Sequence, residues 1–265
     1  MIDFAGNIAS GPADWVGLAA TTFVAALLYA VSGYGFAVLA APLYLLFVDP
    51  SRAIQLIIII STALSLTVVS RLRHAVAWGL LARLAIGALA GLPIGLVAFR
   101  YADPLLVRLG VGATIFSFAS LMAVRWPRRS RFSPLLALRP GRDLIAGVAS
   151  GIATALVGMA GPPALIYLLL AGAGARTVRA TLLAFFALAY GATLISHAAM
   201  IGIPGPTWVT AGTLVPFALF GGFAGRPIGD RLGSQGFTLL AITLLAVTGL
   251  YTMAAAGIGL ASRQH

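Results

Sequence analysis

The sequence predicts an all-α polytopic membrane protein made of two inverted repeats, each a broken, re-entrant helical hairpin followed by three transmembrane helices. Of its 265 residues, 60% are apolar and 9% are charged, and the mean hydropathy is +1.03. Soluble proteins average about 45–50% apolar and about 25% charged residues. The apolar residues also form eight long segments, two of which are interrupted by glycine and proline, and one glycine–proline motif occurs twice.

The charged residues exclude several classes of protein. All 17 basic residues are Arg and all six acidic residues are Asp, which gives a net charge of +11. Because the arginines lie in short loops between apolar segments, they are typical of topology signals and predict no nucleic-acid partner. The chain has no cysteine, so thiolate chemistry and cysteine-ligated metal sites are excluded. We expect no metal and no cofactor.

Six of the apolar segments are ordinary single spans, and two are broken. The eight segments are residues 14–48, 51–70, 78–99, 105–124, 143–171, 180–200, 207–225 and 237–260. The first and fifth are the longest, and glycine or proline clusters interrupt them near residues 32–35 and 158–163. Such residues break helices, and non-helical backbone at membrane depth is tolerated only where protein or a wet cavity shields it.

The arginine distribution predicts the topology. Residues 125–142 are rich in arginine and are therefore expected in the cytoplasm. If the fifth segment crossed once, Arg176 and Arg179 would lie outside, against this rule; if it turns back, they lie inside. By the same reasoning the first segment is a hairpin and the N-terminus is outside. Arms of about 15 residues reach only ~22 Å, short of a ~30 Å membrane core, which predicts tips inside the membrane.

An internal repeat accompanies this pattern. Gly91-Leu92-Pro93-Ile94-Gly95 recurs as Gly225-Arg226-Pro227-Ile228-Gly229, and Tyr44-Leu45-Leu46 is echoed by Tyr167-Leu168-Leu169. Coincidence in an Ala/Gly/Leu-rich chain is the alternative. The repeat predicts three parts: residues 1–124 as the first transmembrane repeat, 125–142 as a cytoplasmic linker, and 143–265 as the second repeat.

The broken segments are the predicted substrate site. The second arms begin near Gly35 and Pro162, so each directs a helix N-terminus, with a partial positive charge, into the interior. Two such ends predict a site for a small anion, with backbone amides and hydroxyl groups as donors. The predicted substrate-binding residues are Ser32, Gly33, Tyr34, Gly35, Phe36, Thr154, Gly158, Gly161, Pro162, Pro163 and Tyr167. The alternative is that the glycines only permit close helix packing.

Few other residues could carry chemistry. Every Asp lies near the end of an apolar segment, which disfavours cation transport. His197 either couples protons or faces the substrate, or it is a histidine near the outer interface. Arg83 and Arg108 lie near span ends, where they can extend to the interface. Zinc-protease and nucleophile-elbow motifs are absent, so we expect no enzyme.

Two stretches resemble the paired signatures of a known family. They are residues 31–42, Val-Ser-Gly-Tyr-Gly-Phe-Ala-Val-Leu-Ala-Ala-Pro, and residues 151–163, Gly-Ile-Ala-Thr-Ala-Leu-Val-Gly-Met-Ala-Gly-Pro-Pro, followed by 179–186, Arg-Ala-Thr-Leu-Leu-Ala-Phe-Phe. Together they resemble the sulfite exporter TauE/SafE family, which includes 4-toluene sulfonate uptake permease-like transporters. Phe36 and Pro162 stand where a further glycine often occurs in that family.

The resemblance implies a secondary transporter of a small anion, either sulfur-containing (sulfite, thiosulfate or a sulfonate) or a small organic acid. The alternative is a non-transporting membrane subunit or assembly factor. Its partners would be the anion and the lipid bilayer, in a bacterial inner membrane with the N-terminus outside. The sequence leaves open whether the chain forms a homo-oligomer, in which direction it transports and which ion is coupled.

Overall fold

The structure is a computed structural model that describes residues 11–32, 36–125, 138–170 and 175–231. Within these ranges the chain is helical and contains no strand. The helices are α1 (Pro12–Ser32), α2 (Phe36–Tyr44), α3 (Pro50–Leu72), α4 (Trp78–Tyr101), α5 (Pro104–Arg125), α6 (Pro140–Val157), α7 (Gly161–Leu170), α8 (Ala175–Met200) and α9 (Gly205–Arg231). A short 3₁₀ turn, Arg73–Ala75, connects α3 to α4.

Five of these helices are long and apolar enough to cross a membrane, judged by length and composition. The spans are Pro12–Ala30, Pro50–Thr67, Trp78–Tyr101, Thr177–Met200 and Gly205–Gly225. The chain is therefore a multi-pass helical membrane protein, as its composition predicts. The predicted span at residues 105–124 forms α5, which is not one of the five, and the predicted span at 237–260 lies outside the described residues.

The predicted break in the second hairpin is present, residues 33–35 of the first lie outside the described residues, and the described arms of both hairpins are unequal. The first hairpin consists of α1, with 21 residues, and α2, with nine; the second consists of α6, with 18, and α7, with ten. The expectation of two arms of about 15 residues is therefore wrong. At about 1.5 Å per residue α1 extends over ~31 Å, so the first arm alone can span the membrane core. That the short second arms, α2 and α7, are re-entrant stays a prediction.

Gly158 ends α6 and starts the break in the second hairpin. Its φ of 71° is in the left-handed region that glycine adopts without strain. In this conformation the Gly158 N–H donates to the carbonyl oxygen of Thr154 at 3.0 Å, and the Met159 N–H donates to that of Ala153 at 3.3 Å. Both carbonyls would otherwise lack partners at the helix end. After Met159 and Ala160 the chain resumes as α7 at Gly161, with Pro162 and Pro163 in its first turn. Proline is well tolerated in a first turn because its missing N–H would have no helical partner.

The repeated glycine–proline motifs are helix-packing sites. A Cβ atom on Gly91 of α4 would overlap the carbonyl oxygen of Val148 in α6. In the other direction, a Cβ atom on Gly151 of α6 would overlap the carbonyl oxygen of Ala88 in α4. In α9 a Cβ atom on Gly225 would overlap the carbonyl oxygen of Leu27 in α1. Such close backbone approach is what small residues allow between membrane helices. These glycines therefore allow close packing between helices.

The helix contacts follow the order expected of a duplicated chain. If α1 to α4 correspond in order to α6 to α9, the pair α4–α6 in one arrangement corresponds to the pair α9–α1 in the other. Both pairs are in contact. The α3–α8 pair maps onto itself. These two helices run antiparallel, because Gln55 near the start of α3 donates to the Gly202 carbonyl beyond the end of α8, at 3.0 Å. An inverted repeat requires this antiparallel arrangement, so the contacts support the repeat, which stays a prediction.

Candidate functional site

The first turns of α2 and α7 line the same small cavity. Phe36, Ala37 and Val38 come from α2, and Gly161 and Pro162 come from α7. The remaining lining residues belong to the helices around these turns; they are Tyr29, Ser61, Leu64, Ser65, Leu165, Phe186 and Tyr190. The cavity volume is about 20 Å³. Since one water needs about 10–15 Å³ on this measure, the cavity admits one water-sized group in this conformation.

The two helix ends offer different numbers of backbone donors. The first four N–H groups of any α-helix have no partner within that helix. They belong to the residue before the helix and to its first three residues. In α2 the first three residues, Phe36, Ala37 and Val38, all carry an N–H. In α7 the second and third residues are Pro162 and Pro163, so among the first three only Gly161 can donate. The α2 end is therefore the richer source of backbone donors to the cavity.

Four hydroxyl groups complete the polar lining. The Tyr29 hydroxyl lies 3.4 Å from Ser65 Oγ. Tyr190 accepts a hydrogen bond from the N–H of Ala160 at 3.3 Å and donates to the Gly158 carbonyl at 3.2 Å. Tyr190 thus binds the turn that separates α6 from α7. Ser61 Oγ is buried and makes no hydrogen bond within the described part of the chain, although the Tyr190 hydroxyl is its polar neighbour.

The rest of the lining is apolar and uncharged. Phe36 and Phe186 contribute aromatic rings, and Leu64 and Leu165 contribute aliphatic side chains. No charged side chain is among the described lining residues. In such surroundings of low polarity, hydrogen bonds to a ligand are electrostatically stronger than in water. Among the residues that the structure describes, no group of three acidic, histidine or cysteine side chains lies close enough together to hold a metal ion.

The structure brings together only part of the predicted site. Phe36, Gly161 and Pro162 line the cavity, and Gly158 lies in the adjoining turn. Pro163 is half-buried in the first turn of α7 and does not line the cavity. Gly33, Tyr34, Gly35 and the side chain of Ser32 lie outside the described residues.

Two predicted hydroxyl donors are used elsewhere. Thr154 Oγ1 donates to the Ser150 carbonyl within α6, at 2.5 Å. Tyr167 donates to Asp143 Oδ1, also at 2.5 Å, near the start of α6. Neither residue lines the cavity, so in this conformation both hydroxyls contribute to the second hairpin itself.

His197 is buried and lies apart from the cavity lining. Its Nε2 is 3.0 Å from the carbonyl oxygen of Ala155, and its ring meets that of Phe99 edge-on with centroids 4.7 Å apart. Its Nδ1 has no hydrogen-bond partner among the described residues. The side chain has no exposed surface, and the residue lies close to the end of α8 at Met200, so its position near the outer interface stays a prediction. Proton coupling stays a prediction.

Sequence reasoning missed the hydroxyls contributed by α1, α3 and α8. They belong to Tyr29, Ser61, Ser65 and Tyr190. Ser61 and Ser65 are four residues apart, so they share one face of α3, and they interrupt an otherwise apolar run. That spacing was a signal, but serine is common in membrane helices and only the structure shows which face borders the cavity.

Comparison with known families agrees with this architecture. Residues 18–252 match the family described as Sulfite exporter TauE/SafE, and the match covers both hairpins and most of the chain. No curated protein and no solved structure gives a significant match. Because the family match extends over far more than half of the sequence, the chain belongs to the sulfite exporter TauE/SafE family of membrane transporters.

Proposed function

We propose that this protein is a secondary transporter that binds a small anion between the first turns of α2 and α7. The observation that carries the proposal is that both turns, one from each predicted repeat, line a single cavity. Both turns contribute the positive end of a helix dipole, and the N–H groups that the helix itself leaves free come mainly from α2. Paired broken helices at the repeat interface are the usual site of substrate in transporters with inverted repeats.

The proposed substrate is a sulfur oxyanion such as sulfite or thiosulfate, a sulfonate, or a small organic acid. Their charged oxygens accept hydrogen bonds, and the polar groups of the cavity are backbone N–H groups and hydroxyls that can donate. Hydrogen bonds to a charged group are stronger than those to a neutral one. The family supports a sulfur-containing anion within this class.

Binding requires the site to open. A cavity of about 20 Å³ holds a single water-sized group, and a sulfur atom with three or four attached groups is larger. The Tyr190 hydroxyl holds the turn before α7 against α8, while α2 belongs to the other hairpin. We infer that α2 and α7 move apart to admit the anion, and that the conformation described is closed.

We also propose a bacterial inner-membrane location with the N-terminus outside. Three polar contacts join helix ends that the arginine distribution assigns to the same side of the membrane. Gln55 bonds to Gly202 on the predicted outer side, and the N–H of Ala77 donates to Thr181 Oγ1 at 3.1 Å on the inner side. The third contact, on the inner side, is the ion pair between Arg83 and Asp143.

Flux into proteoliposomes that contain only this chain tests the proposed function. The panel is radiolabelled sulfite, thiosulfate, sulfoacetate and small carboxylates, with protein-free liposomes as the control. We expect saturable uptake of at least one sulfur-containing anion. Ser61→Ala should lower affinity with little change in stability, because this hydroxyl makes no hydrogen bond to the described residues in the closed state. Absence of flux for the whole panel would instead support a non-transporting subunit.

A further inference from the structure

Arg179 lies beside the cavity without being part of its lining. It is in the first turns of α8, is exposed, and donates from Nη2 to the carbonyl oxygen of Ala30 at 2.9 Å. Ala30 follows Tyr29 in α1, and the side chain of Tyr29 lines the cavity. Arg179 therefore places a cation next to the wall that α1 contributes.

Within the described part of the chain, the Arg179 guanidinium group uses only one of its donors. It carries five N–H donors in a planar fork that matches anionic oxygens, and it stays charged at any physiological pH. One hydrogen bond to Ala30 uses one of these donors. The described lining of the cavity carries no charge of its own, so Arg179 supplies a formal positive charge that the lining lacks.

We propose that Arg179 is a positioning residue for transport: its charge attracts the anion to the cavity while the hydrogen bond to Ala30 keeps the guanidinium at the end of α1. The inference rests on the proposed function. A cation beside an uncharged cavity with largely apolar walls raises the local concentration of anions. Because the interaction is electrostatic, it acts on the apparent affinity rather than on the rate of the conformational change.

A purely structural role makes a different prediction. An arginine near a helix C-terminus stabilises that end by bonding to its carbonyl groups and by complementing the helix dipole. Glutamine at position 179 has a shorter side chain and no charge, so a purely structural role predicts a lower melting temperature with an unchanged KM. Arg179→Gln therefore separates the two roles, and Arg179→Lys restores the charge without the planar fork.

The matched control is Arg100→Gln. Arg100 is also an exposed arginine near a helix end, with its guanidinium carbon 6.0 Å from the centre of the Tyr101 ring, and it does not line the cavity. Replacing it removes the same net charge from the protein. A change that appears in Arg179→Gln but not in Arg100→Gln is therefore due to the position of the charge.

The test is the concentration dependence of sulfite, thiosulfate and sulfoacetate uptake into proteoliposomes, with the melting temperature of each purified variant. For Arg179→Gln we expect KM to rise about tenfold or more, with unchanged maximal rate and melting temperature, and partial recovery in Arg179→Lys. The KM of the wild type should also rise with ionic strength, and that of Arg179→Gln much less.

The outcomes distinguish the two proposals. If the wild type transports but Arg179→Gln keeps its KM, the role assigned to Arg179 is wrong, whether or not the melting temperature falls. A rise in KM of similar size in Arg100→Gln would also overturn it, because net charge alone would then explain the effect. If the wild type transports none of the three anions, the proposed sulfur-anion transport itself fails.

Discussion

Tyr167 donates its hydroxyl hydrogen to Oδ1 of Asp143 at 2.5 Å, and so connects the short arm of the second hairpin to the start of its long arm. Arg83 of α4 pairs with Oδ2 of the same carboxylate, at 2.6 Å. In the first hairpin, Tyr44 and Thr22 form the corresponding link, with their oxygens 2.6 Å apart. Tyr44 and Tyr167, the tyrosines of the repeated Tyr-Leu-Leu motif, thus each connect the short arm of a hairpin to its long arm.

The two tyrosine links should differ in strength. Asp143 has no exposed surface and is paired with a cation, whereas Thr22 is neutral and itself donates to the Leu18 carbonyl. A hydrogen bond to a charged group contributes about 1.5–3 kcal/mol and a neutral one about 0.5–1.5 kcal/mol. We therefore expect Tyr167→Phe to lower the melting temperature of the detergent-purified protein more than Tyr44→Phe. Equal shifts would show that the Asp143 carboxylate adds nothing to the link.

How far the sequence predicts the structure depends on the kind of interaction. Long apolar segments and glycine–proline breaks are local signals, so the helices and the starts of α2 and α7 followed directly from them. The role of Tyr167 did not, because its partner Asp143 is in a different helix and the pairing depends on how the hairpin folds back. Likewise, the sequence does not show that Ser61 and Tyr190 border the same cavity, because that depends on how α3 and α8 are placed relative to each other.

The packing role of Gly91 can be tested with a single methyl group. A Cβ atom there would overlap the carbonyl oxygen of Val148, a backbone atom that cannot turn aside. Gly91→Ala should therefore separate α4 from α6 and cost about 1–3 kcal/mol, as overpacking does in other cores. In Gly212→Ala the new Cβ would have nothing within 4 Å, so it is the matched control. Thermal melting of both variants checks this, and equal stability would contradict the close packing.

Single cysteines test the predicted topology, since the chain has none of its own. We expect a membrane-impermeant thiol reagent added outside to label Gly205→Cys but not Arg176→Cys. Gly205 is exposed and open to a side chain, whereas nearby Gly202 has a φ of 84° that would strain a cysteine. Labelling of Arg176→Cys from outside would overturn the assignment of the second broken segment as a hairpin.

His197 can be tested by pH dependence. An unperturbed imidazole titrates near pH 6.5, so if His197 couples protons, His197→Gln should flatten the pH profile of transport between about pH 5 and 8. Glutamine can keep the hydrogen bond to the Ala155 carbonyl that Nε2 makes, so the fold should survive. Because the described residues offer Nδ1 no hydrogen-bond partner through which a proton could pass, we expect an unchanged profile. A flattened profile in a stable variant would assign the coupling to His197.

Gly161 provides the sharpest test of the paired-hairpin site. A Cβ atom on Gly161 would lie 3.3 Å from Cζ of Phe186, so alanine is accommodated by a small shift of one ring, whereas leucine adds three further carbons at the wall of a 20 Å³ cavity. We expect Gly161→Leu to abolish anion flux while the protein still inserts and purifies as a single species. Gly161→Ala should retain part of the flux.

Two further variants complete this comparison. Gly35→Leu, in the predicted tip of the first hairpin, should also abolish flux. Gly212→Leu adds the same bulk to an exposed position of α9 that does not line the cavity, and it should leave flux unchanged. Uptake of the same radiolabelled anion by all four variants, at matched protein per liposome, is the measurement. If Gly161→Leu and Gly35→Leu both transport like the wild type, the anion does not pass between α2 and α7, and its path must lie among the long helices.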